Sequence, residues 1–379
     1  MRKVSIVSFL LLPFHLAIAC TSGTPQTGVY KGANGPAQYV VVMPEPANCY
    51  NGDMILFAHG YVQPGQLATW TQQLALPDGT SLPGLLNSFG FGFAASSFSK
   101  DGLAILQGID DTKALTNVIQ SLTIPVRKYF ITGASEGGDI AALSLENDPF
   151  YSGAVAVCGP LGSFEKQIDY FTDARVLFDY FFPGVLKTGT SGESAINIPP
   201  ALINNWFSVY EPAVATALAA NPPATLQLLN TAQIPIGGDP NNAGPAIIGV
   251  LWYNVFATND AHTTLGGNPY DNIGRIYQGS LDDATLNSTV ARFQADQDAI
   301  AHMKQYEPSG KLKDPMVTLH TTADPIVPFW QEALYKENVD DRKSAAELTQ
   351  IPVQAYGHCN VNATEAASAL SLMIAKAGL

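Results

Sequence analysis

Short apolar runs, each bounded by glycine, proline or a polar cluster, punctuate both ends of the chain. AQYVVVM (37–43), DMILFA (53–58), FGFAAS (91–96), KYFIT (128–132), GAVAV (153–157), MVTLH (316–320) and PVQAY (352–356) have the length and flanks of buried strands. Helical spacing of apolar positions fills several of the gaps, including 111–121 and 137–146, and ATEAASALSLMIAKAGL closes the chain as a further predicted helix. Strands alternating with helices predict an α/β fold whose mainly parallel sheet is covered by helices on both faces. Such a sheet presents its functional loops at the carboxyl ends of its strands.

The alternation breaks between Pro160 and Lys313. That stretch holds aromatic helical patches (FEKQIDYF, ARVLFDYFF, LWYNVFA) and the loops IGGDPNNAG and LGGNPYDN. Because it falls between two core strands, it reads as an inserted, mainly helical cap over 161–312. The core then divides into a first part, 20–160, and a second part, 313–379.

Composition adds compartment and partners. Apolar residues make up 46% of the 379 positions, ample for a full core, and the formal net charge is −13. An acidic surface does not suit phosphate backbones or anionic membranes; it suits neutral or apolar substrates. The opening MRKVSIVSFLLLPFHLAIAC has the basic start, apolar run and small residues of a secretion leader over 1–19, so an extracellular protein is expected. No other apolar run is long enough to span a bilayer. Asn287 and Asn362 sit in glycosylation sequons. Cys20, Cys49, Cys158 and Cys359 are an even set in an exported chain and suit disulfides, with the pairing left open.

The candidate chemistry centres on FITGASEGGDIAAL, 130–143. Here G-A-S-E-G follows a predicted strand and opens a predicted helix, the context of a nucleophile elbow that holds Ser135 exposed on a tight turn. A serine hydroxyl needs a base, and the base a carboxylate to orient it. HTTADPIVP places Asp324 just past one predicted strand, and YGHCN places His358 just past the next, both on the rim that carries Ser135. His15 lies in the leader, His262 and His302 in or near the cap, and His320 ends a strand as a packed or bonded residue. Oxyanion donors are expected from the backbone N–H of Glu136, at the helix start, and of Tyr61, after His59-Gly60.

These features together resemble the α/β-hydrolase superfamily, over roughly 37–160 and 313–379. The resemblance implies a Ser135–His358–Asp324 triad and a carboxylic ester hydrolase without cofactor. A narrower similarity, through His358-Cys359, the long insertion and secretion, is to the fungal tannase and feruloyl esterase group; secreted lipases with helical lids are similar in layout. In the tannase group a cysteine just before the serine pairs with one just after the histidine. Ala134 occupies that first position here, and Cys158 is the expected partner of Cys359, leaving Cys20 for Cys49.

Tyr61, Tyr170, Phe171, Trp252 and Tyr253 are candidate substrate contacts, with cap packing as their competing role. Aromatic esters of the hydroxycinnamate type are the first substrate expectation, and short acyl or lipid esters the second. A serine peptidase, an acyltransferase or a non-catalytic binding module would share the framework. No metal site is expected: HExxH, CxxC and Walker patterns are absent, and GGDPNNAG reads as a turn.

Overall fold

The computed structural model describes residues 20–187 and 195–378; the leader expectation for 1–19 lies outside the described residues. Eight strands form the main sheet: β1 (Gln26–Lys31), β2 (Pro36–Val42), β3 (Asp53–Ala58), β4 (Gly92–Ser96), β5 (Lys128–Ala134), β6 (Tyr151–Val157), β7 (Met316–Ala323) and β8 (Leu348–Tyr356). Their spatial order is β8-β7-β6-β5-β3-β4-β2-β1. Every pairing is parallel except those of β2, which runs antiparallel to both β1 and β4. The seven runs read from the sequence each fall within or overlap one of these strands. The eighth, QTGVYK in β1, is an edge strand with mostly exposed side chains, so it lacks the apolar run that marks the others.

Alternation along β3 sorts side chains between two layers. Met54, Leu56 and Ala58 join a core with helices α2 (Ile105–Ser121), α3 (Glu136–Asn147) and α8 (Trp330–Asp341). Ile55 and Phe57 face the other way, toward α1 (Leu82–Ser88) and α9 (Ala363–Lys376). These layers place the carboxyl ends of β3, β5, β6, β7 and β8 on one rim.

Between β6 and β7 lie the cap helices α4 (Phe164–Phe181), α5 (Glu211–Ala220), α6 (Pro222–Ala232) and α7 (Ala243–Leu265). They enclose a separate apolar cluster around Phe178, Trp206 and Val250. Ile326 and Val327, which follow β7, belong to that cluster, so the cap and the rim share a core. The distal half of α7 and the helix Gln297–Met303 instead contribute Ala261, Leu265, Ala299 and Met303 to the sheet's own core. Among the described residues no helix is long and apolar enough to cross a membrane.

Candidate active site

β5 turns into α3 at Ser135, whose φ of 58° and ψ of −125° place a non-glycine residue in strained backbone. Two hydrogen bonds hold the turn: the Ser135 N–H donates to the Val157 carbonyl at 2.9 Å, and the Gly138 N–H donates to the Ser135 carbonyl at 2.8 Å. A Cβ on Gly133 would stand 2.0 Å from the Gly137 carbonyl oxygen, and one on Gly137 would stand 2.0 Å from that of Ala58. The strand and helix therefore approach to a separation that only glycine permits.

From Ser135 a chain of hydrogen bonds runs into the protein. His358 Nε2 is 2.8 Å from Ser135 Oγ, and His358 Nδ1 is 2.8 Å from Asp324 Oδ2. The Asp324 carboxylate accepts only, which puts the ring proton on Nδ1 and leaves Nε2 free to accept from the serine hydroxyl. Asp324 is wholly buried, and its other oxygen accepts from the N–H groups of Ile326 (2.8 Å) and Val327 (3.0 Å). Three sequence segments thus converge on one hydrogen-bonded line.

His320 sits beneath this line. Its Nε2 donates to the Val327 carbonyl at 2.8 Å, and its Nδ1 faces Glu332 at 3.2 Å. Burial opposes a charge on this ring, but the bond to Glu332 and the nearby Asp324 outweigh it and raise its pKa above the usual imidazole range. The ring braces the loop that carries Asp324. His302 bonds to the Leu265 carbonyl at 2.8 Å, and His262 lies on α7.

The loop after β3 faces the elbow. A Cβ on Gly60 would be 3.0 Å from the Ser135 Cβ. Gln73 clamps this loop: its Oε1 accepts from the Gly60 N–H at 2.6 Å, and its amide nitrogen donates to the carbonyls of Gly60 (3.3 Å) and Tyr61 (3.4 Å). Sequence reasoning missed Gln73 because TQQLALPDG carries neither a strand pattern nor a known motif. His59, stacked on Phe98 with ring centres 3.9 Å apart, is held neutral by burial, which lowers its pKa to about 4. Glu136 is the first residue of α3, where backbone N–H groups lack intrahelical partners.

The cap grips the rim at three places. Tyr61 donates its hydroxyl to the Phe256 carbonyl on α7 at 3.1 Å. On α4, Tyr170 donates to the Pro325 carbonyl at 2.7 Å and Gln167 to that of Ile326 at 2.8 Å. Asp260 on α7 accepts from the Leu103 N–H at 2.6 Å and pairs with Lys100 at 3.4 Å. Tyr170 therefore holds the Asp324 loop and does not line a cavity at Ser135. Trp252 packs edge-on against Tyr61 and Tyr253. Phe171 and Tyr253 stack on each other, ring centres 4.9 Å apart, and do face Ser135.

Two cavities meet at Ser135. One, of about 490 Å³, runs from Gly60, Ser135 and His358 down between the sheet and helices α1 and α9. The other, of about 70 Å³, lies under the cap against Tyr61, Phe171 and Tyr253.

The cysteines pair as Cys158–Cys359 and Cys20–Cys49. The first bridge joins the end of β6 to the residue after His358, across 201 positions of sequence. Both partners carry left-handed backbone, φ 44° and 50°. Among the described residues the one cluster of metal-ligating type is Cys158, His358 and Cys359, and the disulfide occupies both of its thiols. At the sequons, the Asn287 amide donates to the carbonyls of Tyr277 and Asp283, whereas Asn362 is an exposed helix cap whose side-chain oxygen accepts from Thr364 and Glu365.

Two predictions follow from this geometry. Cys158→Ser with Cys359→Ser should lower stability by about 2–5 kcal/mol. It should also reduce kcat more than it raises KM, because His358 loses its tether; urea unfolding and steady-state kinetics check both. The second concerns the Glu136 side chain, which is buried and accepts from the Ala104 N–H at 2.7 Å. Burial raises its pKa to about 8, against the opposing Ala104 bond and Lys100 charge. The folded state therefore binds this proton more tightly than the unfolded chain. The contribution of Glu136 to stability should be fully present below about pH 4.5 and be lost as pH rises to about 8. Glu136→Gln should flatten that fall in melting curves recorded against pH.

No family profile and no curated protein sequence matches the chain. Solved structures are similar to it at low identity. An acylaminoacyl peptidase of Pyrococcus horikoshii aligns over 94% of this chain with a TM-score of 0.47 and 11% identity; the chain spans only 40% of that protein's length. A rice cell wall degrading esterase of Xanthomonas oryzae aligns over 93% of this chain and 86% of its own, with a TM-score of 0.44 and 17% identity. An esterase of Pyrococcus furiosus aligns over 93% and 91%, with a TM-score of 0.48 and 10% identity. The fold itself is read from the sheet. Eight strands in this order, with the second alone antiparallel, a serine turn after the fifth and a helical insertion after the sixth, make this chain an α/β-hydrolase fold.

Proposed function

We propose that the chain is a serine hydrolase that cleaves carboxylic esters through an acyl-enzyme at Ser135. The observation that carries this reading is the unbroken Ser135–His358–Asp324 hydrogen-bond line, with both contacts at 2.8 Å, opening onto an apolar cavity. In the first half-reaction Ser135 Oγ attacks the ester carbonyl carbon while His358 Nε2 takes the hydroxyl proton. Asp324, held by the Ile326 and Val327 N–H groups, stabilises the charged ring. The carbonyl oxygen becomes an oxyanion, for which the backbone N–H groups of Tyr61 and Glu136 are the assigned donors. Collapse breaks the ester bond, and the alcohol leaves with the proton from His358. Water, deprotonated by the same nitrogen, then releases the acid and restores Ser135.

Hydrolysis of esters is favoured over a binding role because the buried carboxylate, the ring and the strained serine are all aligned for proton transfer. The hydroxycinnamate expectation now rests on Phe171 and Tyr253, which flank the smaller cavity; Tyr170 and Trp252 give it no support. The two disulfides fit an exported protein.

Ser135→Ala and His358→Ala should each lower kcat on a p-nitrophenyl ester by on the order of 10⁴-fold or more, with melting temperature retained. Asp324→Asn should fall by a comparable factor through the wrong ring tautomer. Product analysis with water, an alcohol and an amine offered together separates hydrolysis from acyl transfer. An N-acyl amide of matched acyl group tests peptidase activity. Full activity of Ser135→Ala removes the reading.

A further inference from the structure

The larger cavity has features that the triad alone does not require. We infer that it is a chain tunnel: it takes the straight aliphatic chain of the ester, laid between the sheet and helices α1 and α9. This rests on the ester-hydrolase reading and names its substrate class.

Position is the first argument. A central strand of a mainly parallel sheet is ordinarily covered on both faces. Thr132 on β5 and Val157 on β6 nevertheless keep accessible surface, although β5 and β6 lie in the middle of eight strands. Both residues line the cavity. It therefore separates the sheet from its helical cover where close packing is the rule.

Direction is the second. The cavity begins at Ser135 and His358, and passes Thr132 and Val157. It reaches Phe130 and Val155 deeper on the same strands, with Leu370 and Met373 of α9 as its far wall. From Ala134 back to Phe130 the path is about 13 Å at the ordinary strand rise. That is the reach of an extended medium-to-long chain and exceeds a single aromatic acyl group.

Chemistry is the third. No Lys, Arg, Asp or Glu lines the cavity. Gln73, one of its few polar neighbours, has its amide engaged by Gly60 and Tyr61. Away from Ser135 and His358 the other polar side chains of the lining are those of Tyr61, Gln72, Thr132 and Tyr253. A sugar would bring more polar groups than these can partner, and unmet buried polar groups are costly. Methylenes lose nothing there. Each one moved from water into such a slot is worth about fourfold in binding.

Two homologous substrate series test the inference and separate the two sources of the chain. The acyl series is the p-nitrophenyl acetate, butyrate, octanoate and laurate. The alcohol series is methyl, butyl, octyl and dodecyl acetate. The tunnel predicts that kcat/KM rises about two- to fourfold per methylene in one series until the chain fills the slot, and p-nitrophenyl ferulate should fall well below the best chain ester. A rise in the acyl series places the fatty acid in the tunnel; a rise in the alcohol series places the alkyl group there. Ala366→Trp, which narrows the slot from α9, should collapse the laurate-to-acetate rate ratio, or the dodecyl-to-methyl ratio, toward one. If Ser135-dependent turnover is present but flat or falling with length in both series, the tunnel is overturned while the hydrolase reading stands. If no ester is turned over, binding of a fluorescent long-chain fatty acid to the wild-type protein still decides. Binding that is weakened by Ala366→Trp supports the tunnel, and no binding overturns it.

Discussion

The structure depends on a backbone contact at the elbow. The end of β3, the end of β5 and the first turn of α3 crowd so closely that the Gly137 position has no room for a methyl group beside the Ala58 carbonyl. This contact forces Ser135 into its positive φ and points its hydroxyl out of the sheet. The same contact brings the β3 loop against the serine, so one packing constraint sets both Ser135 and the candidate oxyanion loop. Strain of this kind persists only where the surroundings over-determine it. Here the bonds from Ser135 to Val157 and from Gly138 to Ser135 supply that restraint.

The loops at the rim are held by contacts from below, from the cap and through a disulfide. The Asp324 loop is held by His320 from below and by Tyr170 and Gln167 from the cap. The β3 loop is held by Gln73 and, through the Tyr61 hydroxyl, by α7. The His358 loop is held by the disulfide to Cys158. The cap is therefore part of the support of the site as well as its roof. This explains why Tyr170 bonds to the Pro325 carbonyl and why Phe171 and Tyr253 stack on each other.

The core of the fold was legible in the sequence because buried parallel strands leave unbroken apolar runs, as in DMILFA and KYFIT. The elbow was legible because its glycines and serine are fixed by sterics at a known spacing. Asp324 and His358 were legible as polar residues placed just beyond predicted strands. What stayed hidden has a physical reason in each case. β1 carries no apolar run. Gln73 acts on backbone atoms and leaves no side-chain pattern. Tyr170 and Trp252 each meet a partner far away in sequence, Pro325 and Tyr61, so composition could not tell packing from substrate contact. The tunnel is a space between elements, and its walls read in the sequence as ordinary core.

The central claim is that Ser135 is the nucleophile, activated by His358. It is tested most directly by treating the native protein with a fluorophosphonate and locating the adduct by peptide mass spectrometry. The account predicts one adduct per chain, on Ser135, formed rapidly in the wild type and lost in His358→Ala. Labelling at another serine, or undiminished labelling of Ser135 without His358, would contradict it.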